Sequence, residues 1–484
     1  MFIRIKYHLI FIFLIYLAIN SESIYAHTFL YKNQPSSSGD SLNEISINNI
    51  LIIGNDRTKE KIIIRELVIE KGVAYESYLL DRNIEKSKIN LLKLPLFNYV
   101  TIQKVFLTDN LVDIYIVVEE RWFTWPEMAI INKERNFNSW WETKDFSKLD
   151  YRFSVRQYNI FGLNHVFKFG LSLGFTRELW LVYNNIFLDK KQHHYLGVYA
   201  SMFYQKDAFY LTYQNKIQTF ISDDENSLEG KEAEIFYTYR PGFNNKHRFS
   251  VAYREQVADD SLVSMNNDYF GKSQTKLSYF ELKYRFEHDR RNSRGYPTKG
   301  SLFRTEITQE GLGFLESGGL NILSVYTNYK KYYQISGKFY GANSVSLKKS
   351  FNEYEVYFLK KGLGYRNDLR GYEYYVIDGQ DYLLSKNNLK FNLLPLTIVN
   401  LNFIPIKKFR KIHFAIYLNA YFDVGYVYDK YQDINYMNDF SNNLQYSGGI
   451  GIDLATYYDS VFRLEYSIIK NGESGIFIHF SAPI

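Results

Sequence analysis

Residues 462–468 read Phe-Arg-Leu-Glu-Tyr-Ser-Ile, so large apolar side chains alternate there with charged or small polar ones. Successive side chains of a β-strand point to opposite faces, and this stretch therefore predicts a strand with one apolar and one polar face. A strand of a transmembrane barrel has this pattern, because lipid lies outside and a polar lumen inside. A strand of a soluble β-sandwich alternates in the same way, so the pattern alone leaves both architectures open.

The same alternation recurs along the chain from Thr124 onward. Residues 151–156 read Tyr-Arg-Phe-Ser-Val-Arg, and residues 167–175 read Phe-Lys-Phe-Gly-Leu-Ser-Leu-Gly-Phe. Helical periodicity largely disappears in this part, and segments of about ten residues follow one another without a repeat of fixed period. The number of such segments favours one large barrel domain over residues 122–484.

The composition is typical of a chain rich in strands. Tyrosine (45) and phenylalanine (38) are abundant whereas proline (8) is scarce, although a genome biased towards Ile, Lys, Asn and Tyr would give a similar composition. The absence of cysteine excludes a disulfide framework and a lipid-modified cysteine. The net charge of +6 comes without a block of Lys and Arg, so we expect no nucleic-acid partner.

Residues 1–26 have the organisation of a secretory signal peptide. Arg4 and Lys6 precede an apolar run over residues 9–18, and Ile-Tyr-Ala at 24–26 offers a cleavage site. The alternative is an uncleaved anchor helix, but the run is shorter than the ~20 residues that a helical span requires. Since no later uncharged segment reaches that length, a mature protein that spans a membrane must do so as a closed barrel.

Residues 27–43 are polar and include Pro-Ser-Ser-Ser-Gly, which is typical of a flexible linker. Residues 44–121 then predict a compact α+β domain with the element order β-α-α-β-β. Its first strand ends at the turn Gly54-Asn55, and we expect Thr58 to cap the first helix.

The first helix is expected to end near Gly72 and to bury Ile64, Leu67 and Val68 on one face. A second helix follows, and Leu80, Ile84 and Leu91 lie on its buried face. Two strands over residues 99–106 and 111–118, joined by a turn at residues 108–110, complete this domain.

Three pieces of this domain resemble a POTRA domain: residues 52–67 (IIGNDRTKEKIIIREL), 93–102 (KLPLFNYVTI) and 111–121 (LVDIYIVVEER). The family has a Gly-Asn turn, then Thr and Arg-Glu-Leu, and a Leu-Phe-x-x-Val element that leads into the second strand. The chain thus resembles the BamA/TamA outer-membrane insertase superfamily, with a single POTRA domain before a bacterial surface antigen barrel. This resemblance implies an all-β transmembrane barrel of sixteen antiparallel strands.

Residues 364–395 resemble the sixth extracellular loop of that superfamily, whose Arg-Gly-Phe/Tyr signature corresponds here to Arg370, Gly371 and Tyr372. In the family this loop folds into the lumen and its arginine pairs with an acidic residue on the barrel wall. The matching strand places Asp423 and Gly425 on its polar face. A confined arginine needs a carboxylate that accepts its forked donors, and glycines allow close approach of the backbones. The alternative is that Arg370 is an ordinary solvated loop charge.

Two shorter matches follow. Residues 289–300 resemble the family's Asp-Arg…Tyr-Pro-x-x-Gly hairpin, which we interpret as scaffold because Pro and Gly set the turn.

The last-strand signal of barrel proteins, polar-x-Gly-x-x-apolar-x-aromatic, corresponds to Glu473, Gly475, Ile478 and Phe480. The chain continues through residues 481–484, which leaves the register of the last strand open.

No Gly-x-Ser-x-Gly elbow, HExxH motif, paired-cysteine spacing or phosphate loop is present, so the sequence predicts no catalysis, no cofactor and no metal. The resemblance instead implies a non-enzymatic insertase or translocase in the cell outer membrane, surrounded by lipid, with its POTRA domain in the periplasm. Unfolded outer-membrane or secreted clients would add strands to the POTRA sheet, and periplasmic or lipoprotein subunits would assist. The barrel would open between its first strand, near residues 127–133, and its last, near 475–480.

Two other functions stay open. A passive outer-membrane channel would conduct small solutes, and a surface antigen or adhesin would use the barrel to display extracellular loops. A single POTRA domain is fewer than the general assembly factor of the superfamily carries, which favours a specialised role over a housekeeping one.

Overall fold

The computed structural model of the chain describes residues 44–132, 144, 146–222, 226–313, 319–365, 367–400, 411–456 and 460–480. The expected signal peptide and linker, residues 1–43, lie outside these ranges. Within the ranges, none of the helices has both the length and the apolar character that crossing a membrane would demand.

The N-terminal domain is a four-stranded sheet with two helices. Its elements are β1 (Glu44–Ile53), α1 (Glu60–Ile64), β2 (Ala74–Glu76), α2 (Ser77–Lys93), β3 (Phe97–Thr108) and β4 (Leu111–Glu120). The strand order is β2-β1-β4-β3, in which β1 runs parallel to β4 and the other neighbours are antiparallel. Leu80 and Leu91 of α2 are completely buried and Ile84 packs beside them, as their spacing on one helix face predicts.

The first helix is shorter than the sequence predicts. It ends at Ile64 and does not reach Gly72. It buries Ile62 and Ile63 and leaves Ile64 half exposed, so the prediction of Ile64 on its buried face was wrong, whereas Leu67 is buried but lies beyond the end of the helix. Ile62, Ile63 and Ile64 are consecutive and point to different sides of the helix. Periodicity alone therefore does not show which of them faces the core. The strand β2 was also missed, because three residues are too few to show an alternation.

The rest of the described chain forms one sixteen-stranded sheet, which confirms the expected barrel. All its neighbours are antiparallel. The strands are β5 (Thr124–Asn132), β6 (Leu149–Ile160), β7 (His165–Gly174), β8 (Thr176–Phe187), β9 (His194–Gln205), β12 (Leu228–Tyr239), β13 (Asn245–Ala258), β14 (Lys276–Asp289), β15 (Gly300–Glu310), β16 (Ile322–Ser336), β17 (Phe339–Phe351), β18 (Asp381–Asn400), β19 (Lys411–Tyr428), β20 (Leu444–Ala455), β21 (Val461–Ile469) and β22 (Ser474–His479). A hairpin of β10 (Ala208–Tyr213) and β11 (Lys216–Phe220) and a helix, α3 (Asp260–Met265), belong to the connections.

The barrel wall has its apolar side chains on the outside and its charged side chains on the inside, which is the opposite of a soluble β-sandwich. In β21, Leu464 and Tyr466 are exposed on the outside, whereas Arg463 and Glu465 are buried in the lumen. A soluble sandwich buries its apolar face and solvates its charges. An outer face of large apolar side chains around a charged interior fits lipid surroundings instead, and this removes the sandwich alternative.

The strands β5 and β22 are the two edges of the sheet. Each is hydrogen-bonded to one neighbour, and no backbone ladder joins them to each other within the described ranges. Pro126 lies in β5 and lacks an N–H, which is typical of an edge strand. The pairing of Gly475 with Ser467 and of Ile478 with Leu464 gives the register of β22 that the sequence left open. These two edges are called the seam below.

Substitution of Leu464 by lysine tests whether the outer face meets lipid. Leu464→Lys places a charge in the middle of β21, so we expect the free energy of unfolding to fall by about 2–4 kcal/mol, measured by urea titration in phospholipid vesicles. The control Leu107→Lys alters an exposed residue of β3 and should cost less than about 0.5 kcal/mol. Equal losses for the two variants would contradict a lipid-facing wall.

Candidate functional site

The connection between β17 and β18 folds onto the inner wall of the barrel. This segment, residues 352–365 and 367–380, is called the inner loop. Leu363 and Ile377 form an isolated antiparallel bridge within it. Its apolar side chains pack in one cluster with lumen-facing residues of the wall: Leu363, Leu369, Tyr372 and Ile377 from the loop, and Tyr382, Leu384, Val427 and Ile469 from the strands. The loop is thus part of the barrel core.

Arg370 of the inner loop forms a forked ion pair with Asp423 of β19. Its Nε donates to Oδ2 at 2.7 Å and its Nη2 to Oδ1 at 2.5 Å. Its remaining nitrogen, Nη1, donates to the side-chain oxygen of Asn388 at 2.7 Å, and the guanidinium lies 3.8 Å from the ring centre of Tyr421. Both partners are buried, with Arg370 1% and Asp423 0% exposed. Arg370 is therefore a component of the lumen and not a solvated loop charge.

Glycines allow this contact in the way that the sequence suggests. Gly371 has φ +87°, a conformation that residues with a side chain rarely adopt, and a Cβ there would lie 2.7 Å from Cγ2 of Ile469. On the wall, Gly425 shares the lumen face with Asp423, and a Cβ there would lie 3.0 Å from Leu363. Any side chain at either position would push the loop away from the wall.

The inner loop also supports the last strand from inside the lumen. The ring of Tyr374 packs edge-on against Phe477 at 5.7 Å, and the hydroxyl of Tyr375 donates to Glu473 at 2.6 Å. Beside them, the hydroxyl of Tyr372 donates to Gln445 of β20 at 3.1 Å. The arginine signature therefore sits directly before residues that hold β22 in place.

The predicted last-strand signal is divided between two faces. Glu473 precedes β22 and contacts the inner loop, and Gly475 faces the lumen. Ile478 and Phe480 point outward, where Phe480 packs edge-on against Phe462 at 5.8 Å. The two apolar members of the signal thus belong to the lipid-facing surface.

A second buried ion pair lies elsewhere in the lumen, and sequence reasoning missed it. Arg463 donates through Nη2 to Asp453 at 2.6 Å, and Asn419 donates to the same carboxylate at 2.8 Å. Tyr296, from the hairpin interpreted as scaffold, donates its hydroxyl to Asp453 at 2.7 Å. That hairpin therefore contributes a lumen contact as well as a turn. The cross-strand register, which pairs Asp453 with Arg463, was the missing signal.

The predicted turn of the N-terminal domain meets the barrel. Gly54 follows β1, and Asn55 donates to the carbonyl of Thr58 at 3.0 Å. Thr58 does not cap α1, because the N-cap is Lys59 and makes no side-chain cap bond. The Thr58 hydroxyl instead donates to Glu120 at 2.6 Å and accepts from Asn159, near the end of β6, at 2.8 Å. Asn159 thus donates to the hydroxyl oxygen that in a helix cap would accept from a backbone N–H, and Glu120 at the end of β4 accepts the proton of the hydroxyl.

A buried ion pair holds the same domain against the turn between β12 and β13. Arg240 donates through Nη1 and Nη2 to Glu66 at 2.6 and 2.9 Å, and Arg65 donates to the carbonyls of Arg240 and Gly242, both at 3.2 Å. Burial, reinforced by the neighbouring Arg240, lowers the pKa of Arg65, and burial likewise lowers that of Lys93. Charged side chains that are largely buried thus hold the N-terminal domain against the barrel.

A cavity of about 450 Å³ opens beside this junction. Ten arginine or lysine side chains line it, against three carboxylates. Confined basic walls concentrate a positive potential, so this end of the lumen attracts anionic groups.

No protein-family model and no curated protein sequence matches the chain. Among solved structures, CdiB from Escherichia coli is similar over 90% of this chain and 75% of its own, with a TM-score of 0.52 and 10% identity. BamA from Haemophilus ducreyi lacking POTRA domains 1–3 is similar over 92% of this chain and 84% of its own, with a TM-score of 0.50 and 16% identity. The chain has the BamA-type fold. Its N-terminal four-stranded domain accordingly has the POTRA fold and is called the POTRA domain below.

Asp423→Ala would leave Arg370 buried without its carboxylate. We expect the free energy of unfolding, measured by urea titration in vesicles, to fall by about 3–5 kcal/mol. The control Asp81→Ala breaks the exposed pair between Lys104 and Asp81 in the POTRA domain and should cost at most about 1 kcal/mol.

The double variant Arg370→Met/Asp423→Leu removes both charges from the same site. It should recover most of the stability that Asp423→Ala loses, because no uncompensated charge stays buried. A loss for Asp423→Ala as small as that of the control would show that the pair is not desolvated.

Proposed function

We propose that this protein belongs to the BamA/TamA superfamily and inserts proteins into the outer membrane or translocates them across it, without catalysing a reaction. The observation that carries the proposal is the forked, buried pair of Arg370 and Asp423, which pins an Arg-Gly-Tyr loop inside a sixteen-stranded barrel. The POTRA domain docked on that barrel supports it. So does the fold shared with BamA and CdiB.

The seam is the site at which we expect clients to enter the membrane. Backbone groups on a free strand edge cannot be satisfied by lipid, so an unpaired edge is costly there. The described ranges of β5 and β22 share no ladder, and an incoming strand would supply the missing hydrogen bonds. Because the inner loop contacts Phe477 of β22 through Tyr374 and Glu473 directly before β22 through Tyr375, this strand would keep its position while the seam opens.

The POTRA domain would receive clients before they reach the seam. The strand β3 is an edge of its sheet, and Val105, Phe106 and Leu107 near its end are exposed. An extended client segment could add to this edge through backbone hydrogen bonds. The basic cavity beside the docked domain would favour acidic client segments at the barrel entrance. Accessory periplasmic or lipoprotein subunits would bind the same domain.

An insertase or translocase of this kind would lie in the outer membrane. The apolar outer face of the barrel would lie in the lipid of the outer membrane, and the POTRA domain would lie in the periplasm. Exposed side chains such as Leu464, Tyr466 and Ile468 give that face its affinity for lipid. A passive channel or a barrel that only displays loops would have the same location but would not engage client proteins.

Site-specific photo-crosslinking tests the seam in the native outer membrane. A photoreactive phenylalanine replaces Ile476 of β22 or, as a matched control, Ile235 of β12; both side chains are outward-facing and exposed, but β12 lies in the interior of the sheet. We expect newly made outer-membrane or secreted proteins to be crosslinked at 476 and at least about tenfold less at 235, identified by mass spectrometry. Equal yields at both positions, or no exported protein at 476, would favour a channel or a display barrel.

A further inference from the structure

Three side chains from three different elements converge in the lumen beside the last strand. They are Glu373 of the inner loop, Glu465 of β21 and His479 of β22, and one ligand atom from each lies within 4.8 Å of the others. The Nε2 atom of His479 is 3.2 Å from Oε1 of Glu465 and 3.5 Å from Oε1 of Glu373. Neither the Arg370 pair nor the hydrogen bonds of Tyr374 and Tyr375 account for this cluster.

His479 makes one long hydrogen bond, to Glu465 at 3.2 Å, but its 3.5 Å separation from Glu373 is too long for a second, and both separations suit ligands of a shared metal ion. Charge-assisted N–H···O bonds are typically about 2.7–2.9 Å long, shorter than both distances in the cluster. Zinc binds histidine nitrogen and carboxylate oxygen at about 2.0–2.2 Å, so two ligand atoms of a tetrahedral site are about 3.3–3.6 Å apart. The observed 3.2 and 3.5 Å lie at or near that range.

The carboxylates also have unused acceptor capacity. Both oxygens of Glu373, and Oε2 of Glu465, accept no hydrogen bond of normal geometry within the described part of the chain, although Nε2 of His479 lies 3.5 Å from Oε1 of Glu373. The side chain of Glu465 is 0% exposed and that of Glu373 is 10% exposed. Buried polar atoms are nearly always partnered, so these oxygens point to a ligand of positive charge.

The charges around the cluster also favour a bound cation. Arg463 lies 3.8 Å from Glu465, but it is already paired with Asp453, and Arg370 is paired with Asp423. Within the cluster the two carboxylates face only His479, so even a protonated imidazole leaves one of their negative charges uncompensated there. A divalent cation would neutralise that charge while the imidazole stays neutral.

We propose that Glu373, Glu465 and His479 bind one divalent transition-metal ion, with Zn²⁺ as the ion that fits best. The two carboxylates and the imidazole Nε2 supply three ligands, and a water molecule completes the tetrahedron. A histidine ligand favours such an ion over Ca²⁺ or Mg²⁺, which prefer oxygen alone. The ion would crosslink the inner loop and β21 to β22. By holding β22 in this way, the ion would also oppose opening of the seam, and this effect alone rests on the proposed function.

Calorimetric titration of the full-length protein in detergent tests this site. After treatment with a chelator, the wild type is expected to bind one Zn²⁺ per chain. Glu373→Gln and His479→Gln should each weaken binding by at least about tenfold, since even removal of an outer-shell partner costs that much. The control His193→Gln changes a histidine in the turn between β8 and β9, outside the cluster, and should keep the wild-type affinity.

The wild type alone supplies a second readout if a variant does not fold. Bound Co²⁺ should give the intense visible absorption of a four-coordinate ion, which Zn²⁺ then displaces. Absence of saturable Zn²⁺ binding, unchanged affinity in both cluster variants, or a loss confined to His193→Gln would overturn the proposal. Client crosslinking does not enter these measurements, so the metal site and the proposed function can fail separately.

Discussion

The ion pair of Arg370 with Asp423 is the contact on which the arrangement of the lumen depends. A guanidinium removed from water is costly, and its position is tolerated only because Asp423, Asn388 and the ring of Tyr421 satisfy it on several sides. Because the pair lies at the turn of the inner loop, it determines where the following residues lie. Tyr374 then contacts Phe477 of β22 and Tyr375 contacts Glu473 directly before it, so one buried charge links the wall at β19 to the last strand.

This link matters because β22 has a ladder on one side only within the described ranges. A strand of six residues with one backbone partner would be weakly held, and side-chain contacts from the lumen compensate without occupying its free edge. Among the described residues, the fold thus combines a strand held from the lumen with a strand edge that has no ladder. The POTRA domain, docked through Glu66 and Arg240, lies against the turns at one end of the same barrel.

Features that depend on local sequence could be predicted, and features that depend on distant register could not. The alternation in residues 462–468 predicted a strand with one apolar and one polar face, and the spacing of Leu80 and Leu91 predicted a helix. Arg370 and Asp423 could be paired only through resemblance to a family. The contact of Tyr296 with Asp453 and the cluster of Glu373, Glu465 and His479 join residues far apart along the chain. Their proximity follows from strand register and loop path, which periodicity does not contain.

Hydrogen–deuterium exchange of the folded protein in lipid tests most directly whether the arginine holds the inner loop. The amides of Val376 and Ile377 donate to the carbonyls of Asn215 and Leu363, at 2.8 and 3.0 Å, and should exchange slowly in the wild type. In Arg370→Ala they should exchange rapidly while the amides of β13 stay protected. Rapid exchange of the loop in the wild type, or unaltered protection in the variant, would contradict the account.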